Sequence, residues 1–323
     1  MKNTMVVALV LIAGAAGYFV IHSHSASVAV SREGEQEVFL KHGAEIDAED
    51  FLAAAREGRR KKQQPASSTP TTSTPAPDPS SFSDSFSTTA TIVETNSASL
   101  SSSQRWWVNS GAYLYTGNAN AKTVSGALPA SDSWFKEYAA TNPEDTDGGV
   151  HPQNIFRLVQ KGLWQNFSQE VYYTISAINQ SASTNRNASN GLFLFNRYQN
   201  GDNLYYVGLR VDGNAVIKKK YNGTYYTMAS TKVFPGTYNR DTSANLLPLN
   251  TPIGIRSVVT NTTAGVTIKM YTDVGNTGVW KLTLETTDAP GMYGSAVIDT
   301  EGFAGIRTDF LDAAFTNYKI TAI

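Results

Sequence analysis

The stretch GLFLFNRYQNGDNLYYVGLRVDGNAVIKKKY, residues 191–221, decides the fold class. It divides into three apolar and polar runs, separated by Gln199–Asn203 and by Asp212, Gly213 and Asn214, residue types that turn a chain back on itself. Three consecutive antiparallel strands are expected. With a three-residue loop at 212–214, Val207, Leu209 and Val211 share a face with Ala215 and Ile217, and the first turn extends that face to Phe193 and Phe195. This face is the expected core. The opposite face then presents Asn196, Tyr206, Arg210, Lys218 and Lys220. A slip of one residue would bury the lysines and expose the leucines, so the register is strongly specified.

Outward from this stretch the texture persists. Further strands are predicted at 106–115, 169–178, 253–260, 266–273, 279–286 and 313–321, with Gly, Asn and Asp at the turns and almost no long helical pattern. Arg256 alternates with the core candidates Ile253, Ile255 and Val259 and is expected to join the polar face. Trp106 and Trp107 are adjacent, so on a strand they point to opposite sides and only one belongs to the core.

Composition excludes several chemistries. The 323 residues contain no cysteine, which removes disulfide scaffolds, thiol nucleophiles and thiolate metal sites. The formal charge of −1 argues against bulk nucleic-acid binding, so no nucleic-acid partner is expected. Beyond residue 82 the one histidine is His151, which leaves Ser–His catalysis without support. No Glu-x-Asp-x-x-Glu strand is present to place two carboxylates about 5 Å apart for glycoside cleavage.

The N-terminal quarter reads differently. Met5 to Ile21 is apolar and uncharged, close to the roughly 20 residues that span a bilayer core. Residues 1–30 are therefore expected to be a signal anchor, a transmembrane helix with the remainder of the chain outside the cell. Ser27-Val28-Ala29 offers a small-residue cleavage site, which gives secretion as the alternative. Residues 31–64 form a charged helical stalk ending in Arg59-Arg60-Lys61-Lys62, and residues 65–81 a disordered Pro/Ser/Thr-rich linker. Residues 82–323 are then one β domain. A cysteine-free exported chain of this kind looks bacterial.

The opening Phe82-Ser-Asp-Ser-Phe86 and the closing segment GFAGIRTDFLDAAFTNYKI, residues 302–320, carry a family resemblance. Together they resemble concanavalin A-like lectin/glucanase domains of the laminin-G-like type, in which an early Phe-x-Asp-x-Phe strand lies beside the closing strand. The resemblance implies an all-β, two-sheet antiparallel jelly-roll sandwich whose concave face often holds carbohydrate and which sometimes carries a structural calcium ion. On that reading Asn196, Tyr206, Arg210, Lys218, Lys220 and Arg256 bind a glycan or polysaccharide, with the cations and the arginine forks suited to carboxylates. Asp84, Asp309 and Asp312 are the candidate calcium ligands, meeting if the first and last strands are neighbours. The expected function is a membrane-anchored, lectin-like module. The alternatives are a polysaccharide lyase or glycosidase on the same face, without the Gln-x-His strand that such lyases carry, and a structural or adhesive surface protein.

Overall fold

The computed structural model describes residues 80–323 throughout and, as backbone alone, three short strands nearer the N-terminus. Those three, β1 (Phe19–Ser23), β2 (Ala26–Val30) and β3 (Gln36–Leu40), pair in order as an antiparallel sheet. β1 begins inside the apolar stretch, and the rest of that stretch lies outside the described residues, as do most of the stalk and nearly all of the linker. Among the described residues no helix is long and apolar enough to cross a membrane.

The remainder is an all-β, two-sheet antiparallel sandwich, as expected. One sheet has seven strands in the order β14 (Thr224–Lys232), β13 (Asn214–Tyr221), β12 (Asn203–Arg210), β11 (Gly191–Asn200), β18 (Gly302–Asp309), β9 (Ile155–Trp164) and β6 (Trp106–Ser110). The other runs β17 (Lys281–Asp288), β16 (Gly265–Val274), β15 (Ile253–Thr262), β10 (Phe167–Ile178), β19 (Leu311–Ala322), β8 (Asn120–Lys122), β7 (Tyr113–Gly117) and β5 (Ala90–Val93). Its ninth strand, β4 (Ser81–Asp84), pairs with β19, Phe82 opposite Ile320 and Asp84 opposite Tyr318. The pairing of first and last strands that the resemblance implied is therefore present. A single helix of ordinary length, α1 (Ser133–Thr141), is capped by the Asp132 carboxylate accepting from Trp134 N.

Alternation fills the space between the sheets. Leu192, Leu194, Val207, Leu209, Ala215 and Ile217 from the seven-stranded sheet meet Val171, Ile175, Ile253, Ile255, Ile268, Met270 and Phe315 from the other, and all are buried. Burying one such side chain contributes about 1.5–3 kcal/mol relative to leaving it in water, so this layer dominates the stability.

Two segments read from the sequence are divided by corners. The 106–115 run divides into β6 and β7 at Gly111 and Ala112, both at positive φ, and the chain passes there from one sheet to the other. Gly111 is required at its position, because a Cβ would lie 2.7 Å from the Phe156 ring. The closing segment divides in the same way at Phe310, φ 54°, between β18 and β19. Trp106 turns into the core and Trp107 to the outer side, as adjacency requires.

The third departure is one of parity. Phe193 and Phe195 were expected in the core, but they lie on the outer face with Tyr206, while Leu192, Leu194 and Asn196 point inward. The cause is a bulge between Asn196 and Asn200, where Arg197 takes a φ of 50° and the pairing with β12 shifts. An extra residue in the turn inverts every side chain upstream of it. The β12–β13 hairpin has no such bulge, and there Leu209 pairs with Ala215 and Val207 with Ile217 as read from the sequence.

Candidate functional site

The outer face of the seven-stranded sheet carries aromatic rings and cations in rows set by the strand register. One row runs Arg157, Arg307, Phe193, Gly208 and Val216 across five strands. The next runs Trp107, Val159, Gly305, Phe195, Tyr206 and Lys218. Glycine in these rows makes room for aromatic rings. A Cβ on Gly305 would lie 2.2 Å from Cζ of Phe195, and one on Gly208 2.6 Å from Phe193 Cδ1. The rings therefore lie over glycine backbone, which keeps the face low.

Arg307 is the centre of this face. Its Nε donates to Oδ1 of Asp309 at 2.7 Å, and its Nη1 donates to the phenol oxygens of Tyr206 at 2.9 Å and Tyr225 at 3.4 Å. The guanidinium also sits over the Tyr206 ring, 5.3 Å from its centroid. Tyr206 in turn stacks on Tyr225 at 6.1 Å and meets Phe193 edge-on at 6.0 Å. Burial pulls the Arg307 guanidinium down, but Asp309 and the two phenols outweigh it and the net direction is upward, so the side chain is held as a cation. It retains 23% side-chain exposure and reaches solvent from among buried neighbours.

Arg157 stands directly opposite Arg307 on β9 and donates from Nη1 to Asn109 Oδ1 at 2.9 Å. Two arginines thus occupy directly paired positions on this face, with one carboxylate, that of Asp309, bonded to Arg307. Lys220 and Lys218 place their Nζ atoms 4.8 Å and 6.0 Å from the Tyr225 ring centroid, and Lys220 lies 3.9 Å from Asp202. Arg210 closes the face at its end, donating from Nε to the Ala188 carbonyl and pairing with Asp212 at 3.1 Å.

Of the six expected ligand-binding residues, four, Tyr206, Arg210, Lys218 and Lys220, share this sheet face. Asn196 does not. The parity change turns it between the sheets, where its Oδ1 accepts from Gln169 Nε2 and Ser257 Oγ. Arg256 belongs to the other sheet, paired with Glu170 and stacked over Trp280 at 4.2 Å, because β15 pairs β10 and β16 instead of the seven-stranded sheet. The three expected calcium ligands do not converge either. Asp84 accepts from Phe86 N and Trp106 Nε1, Asp309 is bonded to Arg307, and Asp312 accepts from Gly126 N, Gln153 and Asn179. Asp84 pairs Tyr318 six positions along β19 from Asp312, about 20 Å of strand away. Among the described residues no group of three His, Cys, Asp or Glu side chains is placed to hold a metal ion.

The sequence reading missed Arg307 and Arg157 as members of this face. Arg307 was inside the quoted GIR segment, and its signal was its place at an alternating position between Ile306 and Thr308 on a strand. The alternation Phe156, Leu158 against Arg157, Val159 was also legible and gives β9.

No family model matches the chain, and no curated protein matches it. Solved structures with a similar course include a carbohydrate-binding module from Bacillus subtilis, at 15% identity and a TM-score of 0.41, covering 66% of this chain and 94% of that one. Winged bean acidic lectin, solved with methyl-alpha-D-galactose, gives 9% identity and 0.42 over 74% of this chain and 96% of that one. Lectin II from Ulex europaeus gives 8% and 0.43 over 76% and 98%. These neighbours share the concanavalin A-like jelly roll with one another.

Proposed function

We propose that the outer face of the seven-stranded sheet binds an anionic glycan, and that the domain is a lectin-like module. The observation that carries this reading is the Arg157–Arg307 pair, two opposed guanidinium groups beside the stacked phenols of Tyr206 and Tyr225. Arginine offers a planar fork to a carboxylate or sulfate, and the buried phenols of Tyr206 and Tyr225 hold the Arg307 fork in place. Lys218 and Lys220, buried against Tyr225, add positive potential from beneath the face. The segment from Glu94 to Ser103 walls one flank, since Trp107 Nε1 donates to the Thr95 carbonyl and Ala98 packs against the aromatic group. The apolar run from Met5 to Ile21 supports the further reading that the domain is displayed from a membrane.

The test is binding of the full chain to an array of neutral and uronate-bearing polysaccharides, repeated with Arg307→Gln and Arg157→Gln. Retention of acidic polymers over neutral ones is expected, weakening as salt rises. Each substitution is expected to cost about tenfold or more in affinity, the loss of one charge-assisted contact. Equal binding to neutral polymers, or full affinity in both variants, would overturn the reading. Following absorbance of unsaturated uronates in the same samples separates binding from lyase cleavage.

A further inference from the structure

Lys219 is the middle of three consecutive lysines on β13, and alternation turns it into the core while Lys218 and Lys220 face outward. Its side chain is 0% exposed, and so is that of Asp288 at the end of β17 in the opposite sheet. Nζ lies 2.8 Å from Oδ2 of Asp288. Three further features surround this pair. The phenol of Tyr205, also fully buried, donates to the same Oδ2. The other carboxylate oxygen, Oδ1, is buried with no hydrogen-bond partner. The ammonium donates in addition to the Ala296 carbonyl and sits 5.1 Å from the Tyr221 ring centroid.

An ion pair sealed this completely loses much of its advantage, because neither charge is solvated. Burial pushes the Lys219 ammonium down and the Asp288 carboxyl up, in both cases toward the neutral form. A neutral amine and a neutral carboxylic acid held in contact, with water excluded, are the two reactants of amide formation.

We propose that Lys219 and Asp288 condense into an intramolecular isopeptide bond that joins the two sheets through the core. The step begins with a proton passing from Nζ to Oδ2 along the existing contact. The Nζ lone pair then attacks Cγ, the C–N bond forms and the C–Oδ2 bond breaks. Oδ2 leaves as water with the carboxyl proton and one of the two remaining amine protons, so the step is a dehydration that needs no oxidant or cofactor. Tyr205 assists by donating to Oδ2 as charge builds on it, and the Ala296 carbonyl aims the amine.

The experiment is proteolysis of the denatured full chain followed by tandem mass spectrometry, which reads the linkage whatever happens at the N-terminus. A branched peptide joining the Lys219 and Asp288 segments, lighter than their sum by one water, is the expected result, and Asp288→Ala should return both as linear peptides. Wild-type protein yielding linear peptides only, with the Lys219 amine free to label after denaturation, overturns the proposal. Tyr205→Phe should lower the branched fraction in freshly made protein, and an unchanged fraction would remove the phenol from the step.

Discussion

Strand β13 sets two environments side by side. Lys218 and Lys220 are buried on the outer face against Tyr225, and Lys219, one residue from each, is buried between the sheets against Asp288 and Tyr205. The residue type and the strand are the same, and only the side of the pleat differs. On the outer face the positive charge shares a sheet face with Arg307, which retains contact with water. On the inner face the same charge has one acceptor carboxylate, one carbonyl and a wall of core residues. Position in the pleat therefore decides whether a lysine meets an aromatic ring or a core carboxylate.

The largest effect that can break this comparison is expected at Lys219. Its replacement by Met removes the bonding partner of Asp288 and leaves that carboxyl buried alone with Tyr205, and chemical denaturation should show a loss of at least about 3–5 kcal/mol. Lys218, also buried, lies against the Tyr225 ring and not against a core carboxylate, so Lys218→Met should be milder in the same measurement, and equal losses at the two positions would sink the distinction between the faces.

A second, smaller effect sharpens it from an acid without a cation. Glu94 accepts from Ala112 N at 2.8 Å and from the Tyr138 phenol at 2.6 Å at the corner between β6 and β7. Burial raises its pKa from 4.5 to about 7, with the hydrogen bonds opposing. Because the folded pKa lies above the unfolded one, the folded state holds the proton more tightly and stability falls as pH rises from about 4.5 to about 7. The fall should be on the order of 2 kcal/mol, read as denaturation midpoints across that window. Glu94→Gln keeps the acceptor oxygen and should flatten the profile. A wild-type profile already flat from pH 4.5 to 7 would contradict this account of the corner.

Lys218→Ala should cost roughly 1 kcal/mol of stability yet weaken retention on acidic polysaccharide, a split that Lys219 variants should not show. Smallest of all is Arg256→Ala. Its partly exposed pair with Glu170 is on the other sheet, so a change below about 1 kcal/mol and no change in glycan retention are expected. A binding defect in that variant would relocate the site.

Legibility followed the physics of each element. The hairpin of β12 and β13 was readable because Asp212, Gly213 and Asn214 fix a turn and the alternation on both sides agrees with it. The β11–β12 turn was not, since the bulge at Arg197 is stabilised by contacts far along the chain: Arg197 donates to the Gln165 and Ile298 carbonyls and to Asn261. No local pattern encodes those partners, and the parity error sent Asn196 to the wrong face. The corners at Ala112 and Phe310 were hidden for a related reason, because non-glycine residues at positive φ carry little sequence signal. Four members of the candidate face were nevertheless visible in the quoted stretch. Arg307 and Arg157 needed knowledge that β18 lies between β11 and β9, which is tertiary information.

The pairing of β4 with β19 also has a mechanical meaning. Ala322 N donates to the Ser80 carbonyl, so the chain enters the sandwich beside the point where it leaves. A pull delivered through residue 80 against a ligand gripped on the seven-stranded sheet would load this four-residue ladder first. What resists it besides the ladder is the ring cluster of Phe82, Trp106 and Tyr318, with Arg105 over Phe82 at 5.0 Å. The Phe-x-Asp-x-Phe opening is thus where the sandwich is fastened to the chain that precedes it.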